Sequence, residues 1–227
     1  MQLIIRRIRE QGRDVRSFDM MPEEAAGRHG LTFTPGQVAV LSVADLQGAY
    51  FAFASAPEDA ELEFLIKRSG EAGRALYDLQ IGQSVELTHI VGRGFSLDDY
   101  HGRDLIFIAM GTGVAPLRSA LRSALNKADK FGRMIVLYGV RTPEDFCYRD
   151  EVEHWQTSGV EMRQVISQPT GYEWSGQTGY VQSLLDNLLP QLRSPVALVC
   201  GSPEMIDQTR SRLQEMGLAP EQILTNY

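Results

Sequence analysis

The sequence predicts an N-terminal antiparallel β-barrel followed by a C-terminal doubly wound α/β domain with a parallel sheet. Three observations carry this. Up to about Leu97 the chain is a series of short strand-like runs split by turns, the pattern of a small antiparallel barrel. Beyond Arg103 apolar runs alternate with helical patterns, as in a sheet covered by helices on both faces. At two places a buried strand passes to a helix through small residues: Gly111-Thr112-Gly113-Val114-Ala115-Pro116 and Cys200-Gly201-Ser202-Pro203-Glu204-Met205. The polar stretch Asp98 to Arg103 separates the halves, giving domains at 1–100 and 101–227.

In chain order, Leu3 to Ile8 reads as a first strand. Arg6, Arg7, Arg9, Arg13 and Arg16 in and after it read as a solvated strand and turn, their charge diluted by Glu10 and Asp14. Gln37 to Val43 follows the turn Thr34-Pro35-Gly36, and Ala49 to Ser55 is closed by Ala56-Pro57-Glu58-Asp59. Glu61 to Lys67 alternates, with Leu62, Phe64 and Ile66 on one face and Glu61, Glu63 and Lys67 on the other. A helix over Gly73 to Leu79 precedes the strand Ser84 to Ile90. In the second half, Leu105–Met110, Met134–Tyr138, Val160–Ile166 and Val196–Val199 read as buried parallel strands, with Ile223 and Leu224 starting a fifth. Helices are expected over Pro116–Lys127, Asp145–Thr157, Thr178–Leu189 and Pro203–Met216.

Composition bounds the function. The 227 residues carry a formal net charge of -7, which argues against nucleic acid as the main partner. Two cysteines, Cys147 and Cys200, form no disulfide framework and are too few for an iron–sulfur cluster, and they fit a reducing, cytoplasmic compartment. No apolar run is long enough to span a bilayer, and no membrane association or signal peptide is expected. His29, His89, His101 and His154 are scattered without metal-ligand spacing, so no metal site is expected.

The chemistry lies at the glycine junctions. A helix N-terminus behind a strand end exposes unpaired N–H groups and a partial positive charge, which suit a phosphate. In an open parallel sheet the ligand binds beyond the carboxyl ends of the strands, where the winding reverses. Strand Leu105–Met110 and strand Val196–Val199 are the expected neighbours at that reversal. Gly111 and Gly113 then let the backbone approach a pyrophosphate, Thr112 adds a hydroxyl, and Pro116 falls where a helix tolerates it. The run is neither Gly-x-Gly-x-x-Gly nor a Walker-type loop.

These residues resemble the ferredoxin–NADP reductase-like flavoproteins. That superfamily's nicotinamide domain carries Gly-Thr-Gly-hydrophobic-Ala-Pro, matched by Gly111 to Pro116, and Cys-Gly-x-Pro-x-Met, matched by Cys200 to Met205. Leu137 to Arg141 is similar to the segment that meets the adenosine ribose. Phe33-Thr34-Pro35-Gly36-Gln37, Gly92-Arg93-Gly94-Phe95 and Ser167-Gln168-Pro169 with Trp174 to Val181 fit other parts of the same family.

The resemblance implies an FAD-binding barrel, an NAD(P)-binding α/β domain and hydride transfer from NAD(P)H to FAD. Electrons would then pass to a partner protein, a quinone or a small oxidant. The implied flavin residues are Phe51, Ala52, Phe53 and Ala54 on one strand, and Gly70, Ala72 and Gly73 at a helix start, with Lys67 and Arg68 just before it. The implied dinucleotide residues are Gly111, Thr112, Gly113, Pro116, Arg141, Gly201, Pro203 and Met205. Cys200 would orient the nicotinamide, and Tyr227 would shield the flavin face. The sequence departs from the family's Arg-x-Tyr-Ser/Thr motif: Ala49, Phe51 and Ala52 stand where the arginine, tyrosine and hydroxyl belong. Arg141 and Arg149 favour NADP, whereas Glu144 and Asp145 favour NAD. Two further readings stay open: an electron-transfer subunit of a larger redox complex, and a nucleotide-binding module with a decayed flavin site.

Overall fold

The computed structural model describes residues 1–24, 30–43 and 46–227; His29 lies outside them. Strands β1 (Gln2–Gly12), β2 (Val15–Pro22), β3 (Val38–Ser42), β4 (Ala49–Ala52), β5 (Leu62–Lys67) and β6 (Ser84–Val91) form one antiparallel sheet in the order β4-β3-β6-β1-β2-β5. A bridge between Phe53 and Phe64 joins its two edges, so the sheet closes as a barrel. Its core holds Phe18, Phe53 and Phe64, with Phe33 stacked on Phe53 at 4.0 Å. Helix α1 (Gly70–Tyr77) buries Leu76 and Tyr77 on this barrel.

The arginine-rich stretch is part of a long hairpin. β1 continues past Ile8 to Gly12 and turns back as β2, with Asp14 in the left-handed region at φ 55. Arg7 and Arg9 pair with Asp19 on the neighbouring strand at 2.5 and 2.6 Å. Their charge is therefore matched across the ladder by a buried carboxylate, although Arg7 itself stays exposed.

The second half is a parallel sheet in the order β10-β9-β8-β7-β11-β12. Its strands are β7 (Leu105–Met110), β8 (Met134–Val140), β9 (Val160–Ile166), β10 (Gln177–Thr178), β11 (Val196–Cys200) and β12 (Ile223–Leu224). β7 and β11 are in register from Leu105↔Val196 to Ala109↔Cys200, so the reversal of winding falls between them as expected. Alternate residues serve opposite faces: Leu105, Phe107 and Ala109 join one core with Trp155, and Ile106 and Ile108 join the other with Leu184, Leu185 and Leu188. Helices α2 (Val114–Leu125), α3 (Val152–Thr157) and α4 (Pro203–Glu215) cover these faces.

Two expectations are corrected. The helix over Asp145–Thr157 breaks into 3-10 turns at Pro143–Asp145 and Arg149–Glu151 before α3. Tyr148, left-handed at φ 57, interrupts it, because its amide donates to Gln11 Oε1 at 2.7 Å and the Cys147 amide donates to Tyr138 Oη at 3.2 Å. The helix over Thr178–Leu189 is replaced by β10 and two 3-10 turns, Val181–Leu184 and Leu189–Gln191. Three-residue hydrogen bonds there, such as Leu185 to Gln182, set paired leucines onto the sheet. Finally, the polar face of the run Glu61 to Lys67, which carries Glu61, Glu63 and Lys67, is covered at Glu63 and at Leu65. Both are buried, because α2 and the segment after β8 cover that face of the barrel.

Candidate functional site

The first glycine junction is one short turn. A 3-10 turn, Gly111–Gly113, leads straight into α2, whose N-cap is Gly113 with no side-chain cap. Gly111 has φ +56 with open space where a Cβ would stand, and its carbonyl accepts from Tyr138 Oη at 3.1 Å. Pro116 lies in the first turn of α2 and is buried, with its carbonyl packed against Gly36.

The second junction is built differently. Ser202 caps α4 by accepting from the Met205 amide at 3.2 Å, with Pro203 next to it. One amide of this turn is thus already used. Met205 is a core residue, and Gly201 fits closely between Met110 and Met205. The two junctions touch: a Cβ at Gly113 would lie 2.5 Å from the Cys200 carbonyl oxygen and 3.0 Å from the Gly201 nitrogen. Glycine at 113 is what allows the turns to meet.

Cys200 ends β11 at this contact. Burial pushes its thiol up to about 12, with the Gly201 amide pulling the other way. It stays protonated at neutral pH and donates to Asn226 Oδ1 at 3.7 Å. The Asn226 amide donates in turn to the Gly36 carbonyl on the barrel at 3.0 Å, and Gly94 donates to the Asn226 carbonyl. Tyr227 beside it is exposed.

On the barrel, Phe51 is half-buried against the core, while Tyr50 stands 72 % exposed on the outer face with Ala52. Phe53 and Ala54 offer no side-chain surface: both are fully buried, and the Ala54 carbonyl is taken by Arg118 at 2.7 Å. At α1 the N-cap Ser69 makes no side-chain cap, Gly70 is open at φ +64, and Ala72 is half-buried behind it. Gly73 packs where a Cβ would meet the Lys67 carbonyl at 2.8 Å. Lys67 and Arg68 are exposed at this helix start, with Arg68 3.2 Å from Asp78.

The profile of the oxidoreductase NAD-binding domain family matches residues 107–211, which include both junctions. Ferredoxin–NADP reductase B of Sorangium cellulosum is 31% identical over 201 residues, 82% of this chain and 81% of that protein. The chain belongs to the ferredoxin–NADP reductase-like superfamily. Fruit protein pKIWI502 of Actinidia deliciosa is 33% identical over 189 residues, 78% of this chain. The chain spans 58% of that protein's length. The fold also matches a ferredoxin NADP+ reductase from Neisseria gonorrhoeae solved with FAD and NADP, at a TM-score of 0.84 and 20% identity, covering 99% of this chain and 97% of that one.

Ala49 stands where the superfamily's flavin motif has arginine, so a diphosphate on this barrel would have to be held elsewhere. At the start of α1 an N-terminus with no side-chain cap and open space at Gly70 lies beside exposed Lys67 and Arg68, with Glu71 in its first turn. In the loop after β8, Glu144 is paired with Arg13, and Asp145 accepts from Thr142 at 2.8 Å. That leaves Arg141 and Arg149 exposed. Two further rings stand exposed: Tyr50, to which no sequence signal points, and Tyr180, within the stretch Trp174 to Val181. Tyr180 rims an open groove of about 500 Å³ with Gln182, Asp186, Gln208 and Arg212, apart from the glycine junctions. Among the described residues no group of His, Cys, Asp and Glu can hold a metal, and no helix is long and apolar enough to cross a membrane.

Proposed function

We propose that the chain is an FAD-dependent NAD(P)H oxidoreductase that passes hydride from NAD(P)H to FAD and electrons onward to a partner protein or a small acceptor. The contact of Gly113 with Cys200 and Gly201 supports this most directly, because it brings together two strand ends and a helix N-terminus without a side-chain cap.

FAD, when bound, supplies the two-electron acceptor that can release electrons singly. The protein's part is position. The Gly111–Gly113 turn and the α2 dipole hold the pyrophosphate of the dinucleotide, with Arg141 available to its adenosine phosphate. The start of α1 with Lys67 and Arg68 holds the flavin diphosphate. Cys200, protonated and fixed by Asn226, offers a neutral thiol against the nicotinamide and is no nucleophile. Phe51 and Ala52 remain assigned to the flavin strand and Tyr227 to the flavin face. Two free cysteines, Cys147 and Cys200, support a cytoplasmic setting.

The test is acceptor reduction by the purified, FAD-loaded chain with NADH and with NADPH in parallel. Turnover of a dye acceptor with either nucleotide is expected. Failure with both, in protein that retains FAD, contradicts the reading.

A further inference from the structure

The two halves meet along α2, and the meeting point is a buried guanidinium. Arg118 is 4 % exposed. Its Nη1 lies 2.7 Å from the Ala54 carbonyl and 2.9 Å from Glu63 Oε2, both on the barrel. Its Nε and Nη2 reach Glu151 at 3.0 and 2.5 Å, on the parallel-sheet side. The Tyr148 ring lies against the guanidinium at 4.5 Å. The next residue continues the seam: Ser119 donates to the Ser55 carbonyl at 2.6 Å and accepts from the Gly36 amide at 3.0 Å. One turn on, Arg122 forks onto Asp59 at 2.8 and 2.9 Å.

This joint sits close to both proposed cofactor strands. Gly113 precedes Arg118 by five residues of turn and helix, roughly 7.5 Å at 1.5 Å per residue. Ala52 precedes Ala54 by two extended residues, roughly 6.6 Å. With a lever that short, a tilt of roughly 10° at the joint moves the glycine turn by about 1.3 Å. Misplacement of about 1 Å between reacting groups can cost about 100-fold in rate.

We propose that Arg118 is a positioning residue for hydride transfer: by fastening α2 to Ala54 and Glu63 on one side and to Glu151 on the other, it sets the approach of the Gly111–Gly113 turn to strand β4. This rests on the function proposed above. Arg118 touches neither the Gly111–Gly113 turn nor β4, so its loss shifts one half against the other and leaves each binding group intact within its own half. Other contacts hold the halves together without it, including Gln11 to Tyr148 and Asn226 to Gly36.

The experiment compares wild type, Arg118→Met and the double variant Arg118→Met/Glu63→Gln, all loaded with FAD. Arg118→Met leaves the buried Glu63 carboxylate with Arg9 alone, 3.0 Å away, and the double variant removes that charge. Anaerobic stopped-flow mixing with NADPH and NADH gives the flavin reduction rate and the nucleotide Kd separately. Both variants are expected to reduce flavin about 10- to 100-fold more slowly, with Kd values for nucleotide and FAD within about threefold of wild type. The double variant is expected to recover melting temperature but not rate. A rate within twofold of wild type in Arg118→Met, or a rate that recovers together with stability, overturns the proposal. Wild type that holds FAD but never reduces it refutes the functional reading instead. The joint is then judged by hydrogen exchange: faster exchange of the Ser55–Asp59 and Gly111–Val114 amides in Arg118→Met supports it, and unchanged protection overturns it.

Discussion

Replacing Gly113 by alanine tests whether the two strand-end turns are in contact. The added Cβ would stand 2.5 Å from the Cys200 carbonyl oxygen, about 0.9 Å short of the 3.4 Å at which ordinary contact begins, and 2.7 Å from the Cys200 carbonyl carbon. Both neighbours are backbone, so no side-chain rotation relieves the clash and one turn must withdraw. Overpacking of this kind costs about 1–3 kcal/mol. For a chain of this size that lowers the melting temperature by roughly 2–12 °C. The withdrawn turn also loses hydrogen bonds to a charged pyrophosphate, about 1.5–3 kcal/mol, which corresponds to roughly 10- to 100-fold weaker binding. Thermal melting and a fluorescence titration with NADH and NADPH measure the two effects. A Gly113→Ala protein that melts and binds like wild type would refute the reasoning.

Other expectations follow from the same geometry. Lys67→Ala should weaken FAD binding by roughly tenfold, with a smaller dependence of affinity on salt, because it removes a cation from the α1 cradle; a salt-series titration checks this. Burial raises Cys147 to about 11 and Cys200 to about 12. Both thiols should therefore resist a disulfide reagent at pH 8 in the folded chain and react once it is unfolded. The same shifts stabilise the protonated thiols, so their contribution is intact below about pH 9 and is lost as pH rises toward 12; denaturant melts at pH 8 and 10.5 should show the fall, and Cys200→Ala should reduce it. Burial works against the charge of Asp59, yet Arg122 and the Ala56 amide hold its carboxyl below the ordinary value. Its contribution is present above about pH 4 and lost in acid, and Asp59→Asn should flatten the acid limb of stability.

The glycine junctions were legible because their chemistry is local: a strand end, a small-residue turn and a helix start are consecutive in the chain. The neighbouring of β7 and β11 also followed, since the winding of an open sheet dictates it. The seam between the halves was not legible. Glu63 alternates with apolar residues as a solvent-facing side chain would, and only α2 folding over it turns that position inside. The apolar spacing in Asp145–Thr157 suited a helix, but Gln11, 137 residues away, captures the Tyr148 amide and breaks the run. Only the first strand of the β1–β2 hairpin, Leu3 to Ile8, is legible: β2 is not, because Arg7 and Arg9 point to no partner strand until Asp19 is set opposite them.

Hydride transfer requires that a nicotinamide held at the Gly111–Gly113 turn reach a flavin held by the barrel. The direct measurement is the visible spectrum of the FAD-loaded protein during stepwise anaerobic addition of NADPH, repeated with NADH. Loss of the oxidised flavin band, complete at about one equivalent of the preferred nucleotide, is the result expected. A band that persists through excess of both nucleotides, in protein shown to bind them, would contradict it.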